Sequence, residues 1–209
     1  NEIISQFLRS IKILKQRGLV ALTSAIVSKL SIEINHLLFY TMRIFPLDDR
    51  LIIFESEGDL CDNAFALYEY MDHNGYLQNF KTIWLVNDEK KYQNTEKVIY
   101  VSKAFKKISL KRNFYIGRAG IIIYDHNTPL WFVKKRKKQT ILYLSHGSGY
   151  KGVKAEESEL FRRKYYPGFD YILATGEIPA KATSICWNAP SDKILLLGYP
   201  RMDYFFIEK

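Results

Sequence analysis

The sequence predicts an α/β fold, a Rossmann-like parallel sheet preceded by N-terminal helices, and two observations carry that prediction. From Arg50 onward, short apolar runs alternate with helical stretches. The runs are continuously apolar instead of alternating, the pattern of strands buried on both faces of a parallel sheet with helices between them. About seven such runs occur, enough for one Rossmann-like unit.

Residues 1–47 form a first region, read as two or three helices ending at Pro46. Ile4, Phe7, Leu8, Ile11 and Leu14 share one helical face, while Arg9, Lys12, Lys15 and Arg17 lie largely off it. A basic amphipathic segment of this kind either lies in a membrane interface against anionic lipid or packs on its own domain with a solvated basic face. The longest uncharged stretch, Gly18 to Ser28, falls short of the roughly 20 residues of a spanning helix. No compact apolar core followed by a cleavage site marks a secretion signal.

Residues 48–209 carry the sheet. "RLIIFES" reads as a strand and "DNAFALYEYMDHNG" as a helix, with Asp62 as its cap and Gly75 as its stop. "KTIWLV" (81–86) and "KVIYVS" (97–102) are strands, and "KAFKKISLKRNFYIGRAG" (103–120) is mostly helix. "IIIYD" (121–125) and "TILYLS" (140–145) are strands, followed by a helix over 155–166 and a strand "YILAT" (171–175). A helix over 178–188 leads to a last strand, "KILLLG" (193–198).

Ligands of such sheets bind beyond the carboxyl ends of the strands. That rule nominates four loops: Glu55–Asn63, Asp125–Pro129, His146–Lys151 and Gly198–Asp203. All are rich in glycine or polar residues. His146 directly follows a strand, and imidazole is the side chain suited to general-base work near neutrality. Gly147 and Gly149 would let backbone amides approach a phosphate, and Lys151 would add charge. Spacing alone leaves open a strand-end histidine satisfied by backbone in a glycine-rich turn. His126 follows the preceding strand, so two histidines can converge on one ligand, support one another or be unrelated. His36 and His73 lie in helical stretches and read as surface or packing residues. Glu55, Glu57, Asp59 and Asp62 crowd one loop, but an acidic loop at a helix N-terminus is a common arrangement and no Asp-x-Asp stands in the chain. No metal is expected.

Composition narrows the partners. The chain has 209 residues, 31 Lys plus Arg against 22 Asp plus Glu, and a net charge of +9. An anionic partner follows, whether phosphate-rich substrate, membrane surface or nucleic acid. Cys61 and Cys186 fit no metal or redox spacing, which suits a reducing compartment. "KKRKK" (134–138), with Trp131 and Phe132 just upstream, reads as a solvated connection between two strands. Without an aromatic platform motif, nucleic acid is not expected. The chain begins at Asn1 and stops in "MDYFFIEK" without winding down, so a portion of a longer protein is expected.

Three stretches, in this order, resemble one family. "IIFESEGDLCDNAFALYEYM" (52–71), "YLSHGSGYKG" (143–152) and "GYPRMDYF" (198–205) are similar to the teichoic-acid glycerol- and ribitol-phosphate transferases, the CDP-glycerol glycerophosphotransferase family. The resemblance spans residues 50–205. It implies a GT-B architecture of two Rossmann-like domains around a cleft, of which residues 48–209 match the N-terminal, acceptor-side domain. A basic, membrane-associating N-terminal region is also usual in that family.

The resemblance further implies transfer of glycerol phosphate or ribitol phosphate from a CDP-alditol to a lipid-linked polyol-phosphate acceptor, at the cytoplasmic face of the bacterial membrane and without a cofactor. His146 matches the family's acceptor-deprotonating histidine. Gly147, Lys151, His126, Asn127 and Arg201 are the expected substrate-binding residues. Where the family often reads W-H-G-T-P-x-K, this chain has "SHGSGYK", lacking the tryptophan and the proline. A nucleotide-sugar glycosyltransferase and a non-catalytic membrane- or acceptor-docking domain remain the alternatives, because the fold alone does not fix the donor.

Overall fold

The seven apolar runs become seven strands, all parallel: β1 (Asp48–Glu55), β2 (Lys81–Val86), β3 (Val98–Ser102), β4 (Ala119–Tyr124), β5 (Thr140–Tyr143), β6 (Tyr171–Leu173) and β7 (Ile194–Leu195). The computed structural model describes residues 2–126, 128–130, 134–147, 169–187 and 189–206, with side chains from residue 16 onward apart from residue 17. The sheet order is β3-β2-β1-β4-β5-β6-β7. Strand order therefore reverses between β1 and β4, the point where such sheets open a crevice at their carboxyl edge.

Continuous apolar runs make both faces of the sheet into core. Leu51, Ile53, Ile83, Leu85, Ile122 and Ile141 point to one side, beneath Phe39 and Ile116. Ile52, Phe54, Trp84, Val86 and Ile123 point to the other, against Ala64 and Leu77. Each fully buried aliphatic side chain stabilises the fold by roughly 1.5–3 kcal/mol relative to exposure.

The helix of the β1–β2 crossover, α2 (Asp62–His73), covers the second face. Asp62 does not cap it. Cys61 occupies the cap position without a side-chain hydrogen bond, and the Asp125 carboxylate, arriving from the end of β4, accepts the Ala64 amide at 2.9 Å. At the other end Gly75 (φ 75°) acts as the stop: its amide reaches the Asp72 carbonyl and the Tyr76 amide the Met71 carbonyl.

α3 (Leu110–Arg118) is shorter than its sequence suggests, since residues 103–109 are not helical. Their backbone is claimed from outside. Asn35 donates to the carbonyls of Phe105 and Lys107, at 2.9 and 3.1 Å. The fully buried Arg112 donates to those of Ala104 and Lys107. Ser109 then caps α3 by accepting the Arg112 amide. α4 (Glu177–Trp187) precedes β7, which stops after Leu195; Leu196 and Leu197 are exposed instead of continuing the strand. The helix expected over 155–166, and Trp131 and Phe132, lie outside the described residues.

The N-terminal region is one run of helix, α1 (Glu2–Met42), broken at Gly18, whose φ of 77° no helix accommodates. Its last turns are committed to the domain through Ser31, Asn35 and Phe39, all buried on one face, with Met42 against Gly117. Asn35 lies beside Ser109 and Met42 beside Gly117, so α1 and α3 run together toward the amino edge of the sheet. Residues 18–30 thus lead out the other way, past the carboxyl edge, over roughly 20 Å at about 1.5 Å per residue. By length and composition the 25 residues Gly18–Met42 could cross a membrane, and only 11% of their most apolar window is buried.

The basic run sits at the amino edge. Lys135 pairs with Asp170 at 2.7 Å, and Arg136 donates to the carbonyls of Phe45 (2.8 Å) and Gly117 (3.1 Å). Two of the five basic residues are therefore structural staples, while Lys134, Lys137 and Lys138 face solvent.

Candidate functional site at the sheet's carboxyl edge

The described residues of all four nominated loops meet at the reversal of strand order. β5 delivers His146 through Ser145, whose φ of 57° places it in the left-handed region. Leu60 and Asp62 share that conformation, and these are the non-glycine residues with positive φ among those described. They cluster on adjoining loops at one edge. Backbone strain of this kind costs on the order of 1–3 kcal/mol per residue and persists where surrounding contacts over-determine it.

Those contacts are explicit. Asn63, at the start of α2 and fully buried, donates its carboxamide to the Ser145 carbonyl at 2.7 Å. Its carboxamide oxygen accepts the Arg201 amide at 3.2 Å. The Arg201 guanidinium pairs with Asp62 and donates to the His146 carbonyl at 2.8 Å. One asparagine and one arginine thus tie the β1, β5 and β7 loops together.

The His146 ring is oriented from the fourth loop. Nδ1 lies 3.4 Å from the Asp125 carbonyl oxygen, an acceptor only, so this is the ring nitrogen turned toward a partner that a protonated Nδ1 satisfies. The His126 ring lies 5.1 Å away, centroid to centroid, and its own Nε2 is 3.7 Å from Glu57. His146 is exposed and His126 half-buried, so both imidazoles border solvent at the carboxyl edge of the sheet. Gly147 has open space where a side chain would stand. Asn127 and Lys151 lie outside the described residues.

Asp125 lies directly beneath. It is fully buried, and burial pushes its carboxyl up to about 7, only partly offset by the amides of Ala64 and Glu57. The group therefore changes charge near neutrality, below the histidine pair.

The acidic loop is closed by a lysine. Lys103 Nζ, from the end of β3, donates to the carbonyls of Ser56, Glu57 and Gly58 at 2.6, 2.9 and 3.0 Å. Glu55 and Asp59 stand 3.5 and 3.8 Å from the same ammonium. An ammonium thus occupies the oxygen-lined position inside the acidic loop. Among the described residues no group of three or more His, Cys, Asp or Glu is placed to hold a metal ion.

Sequence reasoning named His146, His126, Gly147 and Arg201, which the fold brings together. It missed Asn63, Asp125 and Lys103 as site residues. The available signal was a polar residue at the end of an unbroken apolar strand or at the first turn of an apolar helix, where nothing local can satisfy it.

The seven-stranded parallel sheet, with core on both faces and its nominated loops gathered where strand order reverses, makes this a Rossmann-like α/β unit. The description "CDP-Glycerol:Poly(glycerophosphate) glycerophosphotransferase" matches residues 37–209, and the chain belongs to that family. It is 25% identical over 193 residues to the teichoic acid poly(glycerol phosphate) polymerase of Bacillus spizizenii, covering 84% of this chain and 47% of that protein. It is 28% identical over 189 residues to the teichoic acid glycerol-phosphate transferase of Staphylococcus aureus, covering 81% of this chain and 46% of that one. The structure of the wall teichoic acid polymerase TagF superposes with a TM-score of 0.68 at 20% identity, over 97% of this chain and 48% of that one. The chain spans about half the length of the relatives it matches.

Proposed function

We propose that this chain is the acceptor-side half of an enzyme that transfers glycerol phosphate from CDP-glycerol to a teichoic acid chain. His146 is its general base. The observation that carries the reading is the orientation of that histidine: Nδ1 faces the Asp125 carbonyl, so Nε2 is the nitrogen left for an acceptor hydroxyl on a side chain that is exposed at the carboxyl edge. Nε2 would accept the proton of the acceptor hydroxyl as its oxygen attacks the β-phosphorus of the donor, with CMP as leaving group. His126, Gly147, Asn127 and Lys151 would contact phosphate oxygens of donor or acceptor, and a CDP-ribitol donor would fit the same chemistry. The acceptor would be lipid-linked and met at the cytoplasmic face of the membrane, to which the apolar outer surface of α1 would hold the enzyme.

The test is CMP release by the full-length enzyme with CDP-glycerol, CDP-ribitol and a nucleotide sugar supplied in turn. A CDP-alditol should be consumed and the nucleotide sugar left intact. His146→Ala should lower turnover by about 10²–10⁴-fold, the span of a positioned base. Full activity in that variant removes His146 from the role, and turnover of the nucleotide sugar reassigns the donor.

A further inference from the structure

We infer that Arg201 and Asn63 form a clasp that positions His146, so that Arg201 acts on the reaction through the histidine and not through the substrate. The inference rests on His146 being the base and adds to it the device that presents it. Three facts support the clasp. Ser145, immediately before His146, stands in a left-handed conformation that a serine does not favour, and it needs holding. Asn63 and Arg201 hold the two peptide carbonyls that follow that bend, on either side of the His146 Cα, Ser145 at 2.7 Å and His146 at 2.8 Å. Both ends of the Asn63 carboxamide are used, one on Ser145 and one on the Arg201 amide, so the two residues are a single hydrogen-bonded unit.

The charge on Arg201 is already spoken for. Its guanidinium pairs with Asp62, itself in a left-handed conformation, and the second amino group goes to the His146 carbonyl. Asn63 is fully buried and reaches no solvent, so it can touch no substrate. An effect of Asn63 on turnover must pass through the backbone it holds. If Arg201 belongs to the same unit, both residues should act on the same step.

The experiment is a double-mutant cycle in the full-length enzyme with Arg201→Gln, Arg201→Lys and Asn63→Ala. Each Arg201 variant should lower kcat by roughly 10–100-fold, the cost of misplacing a catalytic group by about 1 Å, while the KM for CDP-glycerol stays put. Lysine should rescue poorly, because one ammonium cannot bridge Asp62 and the His146 carbonyl in the fixed geometry of the guanidinium fork. The double variant should be little worse than the poorer single one. A raised KM with kcat preserved, or multiplicative losses, would make Arg201 a substrate contact and overturn the clasp.

Because Asn63→Ala can unsettle α2, amide exchange of the peptide covering 140–147 provides a readout independent of activity. It should quicken in Arg201→Gln while β1 and β2 keep their protection. Unchanged exchange there defeats the clasp even if His146 proves essential. Quickened exchange alongside an active His146→Ala enzyme would leave the clasp standing and remove only the base.

Discussion

The ammonium of Lys103 lies 2.6 Å from the Ser56 carbonyl, joining the end of β3 to the β1–α2 loop across 47 residues. The same nitrogen faces two further carbonyls and the carboxylates of Glu55 and Asp59. Glu55 is buried, so removing the cation takes a compensating charge away from a carboxylate in the interior. Lys103→Met should cost roughly 3 kcal/mol in chemical denaturation, the scale for breaking a buried pair from one side. Adding Glu55→Gln should recover part of the loss. If the single variant is as stable as the parent, the lysine is not what shapes the loop.

Asp125 makes stability depend on pH in a direction opposite to a paired carboxylate. Its carboxyl is raised by burial from 3.8 to about 7. The fold therefore binds this proton more tightly than the unfolded chain does. Stability tied to the group is fully present below its ordinary range and is lost as pH rises toward about 7. Asp125→Asn has no such proton. Urea unfolding near pH 4.5 and pH 8 should show the parent losing, relative to the Asn variant, on the order of a few kcal/mol across that interval. A difference between the two proteins that stays flat with pH would mean the carboxyl titrates in its ordinary range.

The sheet was legible because its signal is local. A short continuous apolar run such as "LIIF" reads as a strand buried on both faces, and the rule about carboxyl edges then points to the loops that gather at the strand reversal. The misreadings arise where distant residues intervene. Residues 103–109 have a helical composition, yet Asn35 and Arg112 take the carbonyls that a helix would need. Asp62 looks like a cap, but Arg201 claims its carboxylate and Asp125 caps the helix from another strand. "KILLLG" reads as six strand residues, and only Ile194 and Leu195 pair, with β6. The clasp on His146 joins positions 82 and 138 residues apart, a relationship no spacing rule conveys.

Gly120 is fixed by the closeness of β1 to β4 and not by its dihedrals. A Cβ there would stand 2.9 Å from Asp49 Cα and 3.0 Å from the Asp48 carbonyl oxygen, both backbone atoms that cannot swing aside. The register between the two strands shifts at the same place, between Asp48 and Ile52. Gly120→Ala should therefore destabilise the protein by about 1–3 kcal/mol, in line with overpacking elsewhere. Gly147→Ala makes the control, since open space surrounds it. Equal melting temperatures for the two variants would show that the strands separate freely at Gly120.

The outer surface of α1 gives the membrane proposal a measurable form. Val20 is 82% exposed, Leu19 66% and Val27 62%, with Leu30 close behind. The opposite face, Ser31, Asn35 and Phe39, is buried on the domain, so the exposed residues are those left over for another surface. Because residues 18–30 lead out past the carboxyl edge, a membrane gripping them would lie on the side of the sheet where His146 stands. Seating each such side chain in the interface contributes roughly 2 kcal/mol, about a thirtyfold change in partitioning. Val27→Asp combined with Leu30→Asp in the full-length enzyme should abolish flotation with vesicles containing anionic lipid. Raising salt alone should weaken it only partly, since screening acts on charge and not on apolar contact. Flotation that survives both substitutions would place the attachment elsewhere on the molecule.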